Sequence, residues 1–429
     1  MSQYRIRGNG APIEGELAVG GAKNAVLPIL AAMCLNEGES VIHNCPRIAD
    51  TFVSMDILRC MGYNPQLSGN TLKASTFEGF ECDIPDECVN KMRSSILFVG
   101  AMLAKCGSIN IALPGGCELG NRAIDLHITG LQAMGANIHM DGGRLHCTTD
   151  GMKGAYIPLH IASVGATENL MIAAATAKGE TTIDNAAREP EIIDLARFLT
   201  AMGAKISGAG TGKIVITGVK QLRQTKPYNI MPDRIVAGTY LVAAAMTGGE
   251  LTLTNINVAD MLPIITQLTK MGCHIRTKDD TIGLSAPRRL KSLPRLTTKV
   301  HPGFPTDMQA QFVAALAIAQ GSSTVRETIF DKRHQHAHEL NRMGAKISLS
   351  ADNTTFDIKG VERLHGAVVQ AKDLRGGAAL ILAGLAAEGE TIVQNAHYVQ
   401  RGYEHIEKDL RKLGADIILE DAEQHEQCA

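Results

Sequence analysis

The chain has no tryptophan, and aromatic residues fill only 4% of its 429 positions. Proteins that hold single-stranded nucleic acid stack bases on such rings, so this composition argues against that class. A net charge of −2 removes the basic footprint that nucleic-acid binding needs. No apolar run approaches the length of a membrane span. The opening stretch MSQYRIRGNGAPIEGEL lacks the apolar core of a signal peptide. No CxxC pair occurs among the ten cysteines, at positions 34, 45, 60, 82, 88, 106, 117, 147, 273 and 428. A chain this long needs no disulfide staples, so free thiols in a reducing cytoplasm are expected, most of them small core residues. What remains is ordinary globular material, 45% hydrophobic and 20% charged, with length for two or three domains.

A repeat runs through the chain. An apolar, helix-like stretch ends at a turn glycine, and a short β-branched stretch follows. The turn glycines are Gly38, Gly107, Gly179, Gly249, Gly321 and Gly389, spaced by 69, 72, 70, 72 and 68 residues. A second set, Gly62, Gly135, Gly203, Gly272, Gly344 and Gly414, is spaced by 73, 68, 69, 72 and 70. Each of these ends an amphipathic stretch, which predicts a helix C-cap. Two markers with one period point to six copies of a small α/β subdomain. The first helix of each copy, such as NAVLPILAAMCLNEG, is apolar nearly all round and should be buried on every side. The second, such as EIIDLARFLTAMG, has a polar face. The strands should then wrap the outside of a bundle of buried helices.

The chemistry gathers where those buried helices begin. Lys23-Asn24, Lys91 with Arg93, the Ser163 to Thr167 run, Asp233-Arg234, Thr306-Asp307 and Asp373 with Arg375 stand at the six starts. Ordinary N-capping accounts for Asp233, Asp373 and part of Thr306. It does not account for cations, which oppose the helix dipole unless an anion sits between. The stretch PGGCELGNRAIDLH, residues 114–127, adds a thiol, a cation and a carboxylate (Cys117, Arg122 and Asp125) on one glycine-rich loop. That set suits chemistry on an anionic substrate. The run HQHAHE, His334 to Glu339, has the spacing of a strand and no further ligand at metal spacing, so it is read as structural. The tail DAEQHEQCA should be disordered.

The motifs in order are GAKNA (21–25), KMRSS (91–95), PGGCxxGxRxxDLH (114–127), SVGAT (163–167) and NAAREPE (185–191). PDRI (232–235), FPTDMQAQF (304–312), DLR (373–375) and RGYE (401–404) follow. Together they resemble the enolpyruvyl transferase family over essentially the whole chain. The resemblance implies an α/β fold of two inside-out α/β barrels, built from six βαβαββ-type repeats. It places residues 1–22 and 232–429 in one discontinuous domain and 23–231 in the other, which carries the Cys117 lid loop.

The same resemblance implies transfer of the enolpyruvyl group of phosphoenolpyruvate to the 3′-hydroxyl of UDP-N-acetylglucosamine. Phosphate leaves by addition and elimination through a tetrahedral ketal. This is the first committed step of peptidoglycan synthesis, and hence of wall biogenesis, cell shape and division. Cys117 matches the lid cysteine, which protonates the methylene, forms an adduct or assists release, and which fosfomycin alkylates. Asp307 matches the base for the sugar hydroxyl. Lys23, Arg122 and Arg401 match the groups that hold phosphoenolpyruvate, with Arg93 and Arg375 nearby. The nucleotide sugar would lie along Asn24, Arg122, Ala123, Ile124, Asp125, Leu126, Ser163, Val164, Gly165, Asp307 and Ile329. Arg333 and Glu189 would support the closed site. The family uses neither metal nor cofactor, and a cytoplasmic monomer or weak homo-oligomer is expected.

Three departures stand out. Ala123 replaces a common proline, Glu118 puts a carboxylate beside Cys117, and Gly376-Gly377 stand where alanine is more usual. The sister enzyme acting on shikimate phosphate, the RNA 3′-terminal phosphate cyclase group and a non-catalytic paralogue that binds nucleotide sugar remain the alternatives.

Overall fold

The computed structural model describes residues 2–8, 10–76, 81–90, 92–113 and 124–420. Cys117, Glu118, Arg122 and Ala123 therefore lie outside the described residues, as do Lys91 and the tail from 421 onward. The described chain forms two compact units. The split unit holds the residues up to Gly20 and from Pro232 onward, and the continuous unit those from Gly21 to Met231.

Three helices pack together at the centre of each unit. They are Lys23–Ala32, Leu97–Cys106 and Val164–Ala174 in the continuous unit. In the split unit they are Arg234–Thr247, Gln309–Ile318 and Leu374–Ala386. Their sequences are apolar on nearly every face, and Ala25 to Ala32, Ala310 to Ala317 and Gly376 to Leu385 are all buried. Small residues let them close up. Gly100 is one: a Cβ there would stand 2.4 Å from Asn169 Oδ1.

Each unit carries three sheets among its described residues, and five of the six share one strand order. Tyr156–Pro158 lies parallel to Glu180–Asp184, which pairs antiparallel with Lys213–Thr217, which pairs antiparallel with Lys205–Ser207. The sixth has Ser108–Ala112, Arg144–Thr148 and Asn137–Asp141, with an isolated parallel bridge from Asp83 to Asn110. Two sheets of the split unit borrow strands from the N-terminus. Gln3–Gly8 pairs with both Ala387–Gln394 and Asp416–Glu420, and Glu14–Ala18 lies parallel to Glu250–Thr254. Alternation sets the face: Tyr4 and Ile6 point into the core, while Arg5 turns out to Glu390 and Glu420.

The amphipathic helices lie against these layers. Pro190–Ala201 opens on Pro190, where a missing N–H costs nothing, and buries Ile192, Leu195 and Leu199. Gly62, Gly135, Gly203, Gly272, Gly344 and Gly414 all take positive φ, between 88° and 109°, as the C-cap reading requires.

A feature not foreseen recurs six residues after four of the turn glycines. Asn44, Asn185, Asn255 and Asn395 take left-handed φ of 55°, 54°, 57° and 62°. Each donates its side-chain amide to a backbone carbonyl just past the neighbouring parallel strand. The acceptors are Ile230 (3.0 Å), Leu159 (2.9 Å), Val19 (2.6 Å) and Ala371 (3.2 Å). Asparagine tolerates this conformation because its short polar side chain bonds locally.

Two expectations need correction. His334 to Glu339 is not strand: Gln335–Arg342 is a helix, with His334 at its N-cap. The buried positions are His336, Ala337, Glu339 and Leu340, so packing of Ala337 and Leu340 overrides the apparent alternation. Thr306 is not a cap either; its hydroxyl is engaged by side chains described below. Of the cysteines, Cys34, Cys45, Cys147 and Cys273 are buried, while Cys60, Cys82, Cys88 and Cys106 are half-buried. No described helix is long and apolar enough to cross a membrane.

Candidate functional site

In the split unit the charges centre on Asp307. It sits in the 3₁₀ turn Thr306–Met308, which leads into the central helix Gln309–Ile318. Arg333 donates to its Oδ1 and Arg375 to its Oδ2, both at 3.0 Å. The two arginine side chains are only 3% and 2% exposed, against 22% for Asp307. Arg375 is the second residue of the helix Leu374–Ala386, and its N–H donates to the capping Asp373 carboxylate at 3.0 Å. Its guanidinium carbon lies 5.6 Å from the centre of the Tyr403 ring, and that of Arg333 lies 4.6 Å from Phe330.

Burial pulls the Arg375 pKa down, but Asp307, Tyr403 and Asp233 outweigh it, so the guanidinium stays charged. The Nε of Arg333 and the Nε and Nη1 of Arg375 are buried and meet no acceptor among the described residues. Such donors cost about 1–3 kcal/mol each when left unmet, and more when charged. The cluster is therefore built to receive an anion.

Behind it lies Glu327. Its carboxylate accepts from Thr306 Oγ1 and Thr298 Oγ1 at 2.9 Å, Ile329 N at 2.8 Å and Phe330 N at 3.2 Å. Thr306 Oγ1 in turn accepts from Arg333 at 2.8 Å. Ile329 is exposed, and its backbone is fixed by Glu327. Arg401 follows the short helix His397–Gln400, half-buried, and with burial it lowers the pKa of His397. His336 is buried beside this cluster, stacked on Phe356 at 5.6 Å, and burial pushes its pKa down to about 4.

In the continuous unit Lys23 opens the first central helix. Its Nζ lies 2.9 Å from Asp50, a pair only 12% and 3% exposed. Asn24 beside it is half-buried. Arg93 begins the 3₁₀ turn Arg93–Ile96. His127 is buried in the helix Asp125–Ala133. The Asn169 amide lies 3.0 Å from His127 Nδ1, and Asn169 Oδ1 accepts from Gly100 N at 2.9 Å. That network assigns the ring proton to Nε2. Burial, then the charge of Arg93, lowers the His127 pKa to about 4, with Asp125 opposing.

Gly165 packs near the imidazole edge: a Cβ there would sit 3.4 Å from Cε1. Ser163 caps the helix Val164–Ala174 through Ala166 N at 3.3 Å. Arg93, Asp125, His127 and Gly165 are thus brought together. Ile124, Leu126 and Val164 pack half-buried against the core. Glu189 stands at the N-cap of Pro190–Ala201 and accepts from Arg188 N.

Sequence reasoning missed Asp50, His127, Asn169, Glu327 and Tyr403. Glu327 carried a readable signal. It stands six residues after Gly321, the offset at which four other turns carry asparagine.

Buried arginines around one carboxylate, on this fold, define a protein that handles anionic substrates. A family model described as EPSP synthase (3-phosphoshikimate 1-carboxyvinyltransferase) matches residues 8–410. The chain is 48% identical over 418 residues to UDP-N-acetylglucosamine 1-carboxyvinyltransferase 2 of Caldanaerobacter subterraneus subsp. tengcongensis, covering 97% of this chain and 99% of that one. It is 44% identical to UDP-N-acetylglucosamine 1-carboxyvinyltransferase of Geotalea uraniireducens, with the same coverage. In structure it matches the enolpyruvyl transferase NikO of Streptomyces tendae with a TM-score of 0.87, at 24% identity over 97% of this chain and 98% of that one. EPSP synthase of Acinetobacter baumannii gives 0.74 at 19% identity, over 98% and 100%. The chain belongs to the enolpyruvyl transferase family.

Proposed function

We propose that the protein transfers the enolpyruvyl group of phosphoenolpyruvate to the 3′-hydroxyl of UDP-N-acetylglucosamine, the first committed step of peptidoglycan synthesis. The observation that carries this reading is the Asp307 carboxylate held by two buried arginines, of which Arg333 Nε and Arg375 Nε and Nη1 meet no acceptor among the described residues. The names of relatives at 44–48% identity support the choice of substrate.

Asp307 would take the proton of the sugar hydroxyl, and the freed oxygen would attack C2 of phosphoenolpyruvate. Cys117 would give a proton to the methylene carbon, forming the tetrahedral ketal. Loss of a methyl proton and of phosphate would then restore the double bond. Lys23, Arg122 and Arg401 would hold phosphoenolpyruvate, with Arg93 and Arg375 supporting. Asn24, Arg122 to Leu126, Ser163 to Gly165, Asp307 and Ile329 would contact the nucleotide sugar, and Arg333 would support Asp307. The N-terminus of Val164–Ala174 offers backbone donors suited to a diphosphate. No metal or cofactor enters this scheme.

We also infer that each unit is an inside-out barrel of three βαβαββ-type repeats. The domains would be residues 1–22 with 232–429, and 23–231. The shared strand order and the glycine spacing support this. A cytoplasmic monomer or weak homo-oligomer fits the reading.

The test is phosphate release from phosphoenolpyruvate with UDP-N-acetylglucosamine or shikimate phosphate, with and without fosfomycin. Release with the nucleotide sugar alone, abolished by fosfomycin, is expected. Release with shikimate phosphate instead would overturn the substrate, and release with neither would overturn the activity.

A further inference from the structure

The six strand–turn junctions that follow the turn glycines are not chemically equal. At four of them an asparagine ties the turn to the neighbouring parallel strand by donating an amide hydrogen bond. At the corresponding place after Gly321 stands Glu327, and it faces Thr298, the residue just past its own parallel strand Arg295–Thr297. A carboxylate cannot donate, so the polarity of the tie is reversed. Thr298 Oγ1 donates to Glu327 Oε1, and Thr298 Oγ1 itself accepts from Thr328 N at 2.9 Å. The residue has also left the left-handed conformation that the asparagines share.

We propose that Glu327 is a positioning residue, which holds Asp307 and Arg333 in register for proton transfer. This rests on Asp307 being the base of the proposed reaction. Three observations carry it. Glu327 is 3% exposed, so its charge must be met inside the protein. Oε1 is met by Thr298 and by the N–H groups of Ile329 and Phe330. Oε2 accepts the hydrogen bond of the Thr306 hydroxyl, and this turns a lone pair of that oxygen toward Arg333.

One carboxylate thus fixes the turn that carries Asp307 and the loop whose Phe330 ring backs the Arg333 guanidinium.

Glu327→Gln keeps the shape and the acceptor at Oε1. It replaces the acceptor at Oε2 with an N–H donor, so the Thr306 hydroxyl must turn its proton elsewhere, against Arg333. In the phosphate-release assay this variant should lose about tenfold or more in kcat with KM for UDP-N-acetylglucosamine changed less than threefold. Thr306→Val should lose a similar amount, and adding Glu327→Gln to it should cost little more, since both act through one hydroxyl. Hydrogen exchange should quicken in residues 304–309 as well as in 327–330.

Glu327→Asn restores the residue found at the four other junctions. It should melt near the wild-type temperature while kcat still falls, which separates positioning from folding. Wild-type kcat in Glu327→Gln, or multiplicative losses in the double variant, would overturn the proposal while leaving the proposed function standing. Absence of turnover in the wild type would overturn the function instead. Unchanged exchange in residues 304–309 would then overturn the positioning on its own.

Discussion

The two units place charge beside a buried helix start by opposite arithmetic. The continuous unit pairs one cation with one anion, Lys23 with Asp50, and keeps His127 neutral by burial. The split unit sets two arginines on one carboxylate and leaves three of their N–H donors unmet among its described residues. Desolvating a balanced pair is offset by its own attraction, whereas an excess of buried donors is offset only by something from outside. The Asp307 cluster of the split unit, with three such donor atoms on its arginines, is set up for a partner from outside.

The sharpest way to break this comparison is to remove one anion from each unit. Asp307→Asn should lower phosphate release about 10³-fold, the scale of a lost general base. It should also cost about 3 kcal/mol of stability, because two guanidinium groups are left without their carboxylate. Lys23→Met should be destabilising too, because it removes the ammonium that lies 2.9 Å from Asp50, a residue only 3% exposed. The second changes differ. Adding Asp50→Asn to Lys23→Met should recover part of the lost stability, since it removes the buried charge that Lys23 met. Adding Arg333→Met to Asp307→Asn should recover less, since the Arg375 guanidinium, 2% exposed, has still lost its carboxylate. Urea unfolding of the four variants decides it, and equal recovery in both units would mean that the two clusters are balanced alike.

A smaller effect separates fixed from titratable charge. The His127 pKa is about 4 in the fold, against an ordinary value of 6.5. A histidine with a depressed folded pKa contributes stability that is fully present above the unfolded value. It is lost as pH falls through 6.5 toward 4. At pH 5 the loss from His127 is about 2 kcal/mol. His127→Gln, whose carbonyl can still accept from Asn169, should shrink the fall in stability between pH 7 and pH 5 by about that amount. His336 shifts in the same direction and should account for part of the remainder. An unchanged pH dependence in His127→Gln would show that His127 is not held neutral.

What was legible in the sequence was what local chemistry encodes. Runs apolar on all faces announced the central helices, and glycines with one period announced the C-caps. Arg375 was legible because a cation at the start of an apolar helix opposes the helix dipole, whereas the role of Asp307 rested on the motif resemblance. The partner of each charge was not legible. Asp50, Arg333 and Glu327 meet their groups through the fold, and nothing at their own positions says which group that is. The pairing of Gln3–Gly8 with strands near the other end of the chain is of the same kind. The HQHAHE helix was misread for the converse reason, since a period-two pattern of histidines hid the Ala337 and Leu340 contacts that decide the element.

The smallest expected effect concerns Gly376 and Gly377, two adjacent glycines inside the helix Leu374–Ala386. Inside a helix, alanine is favoured over glycine by about 0.5–1 kcal/mol, so the glycines need a reason. At Gly377 a Cβ would stand 2.6 Å from Val399 Cγ2 and 2.9 Å from Ala371 Cβ. At Gly376 it would stand 2.6 Å from Asp373 Oδ2, the carboxylate that caps the Arg375 helix. Overpacking on this scale costs about 1–3 kcal/mol, which exceeds the helical gain. Gly377→Ala should therefore be destabilised by about 1 kcal/mol net. Val399→Ala in the same chain should relieve it, because the shorter side chain removes the closest clash. Differential scanning of the two variants separates the cases. If Gly377→Ala melts at or above the wild-type temperature, Val399 moves at no cost, and the glycine reflects tolerance in the split unit rather than close packing around Arg375.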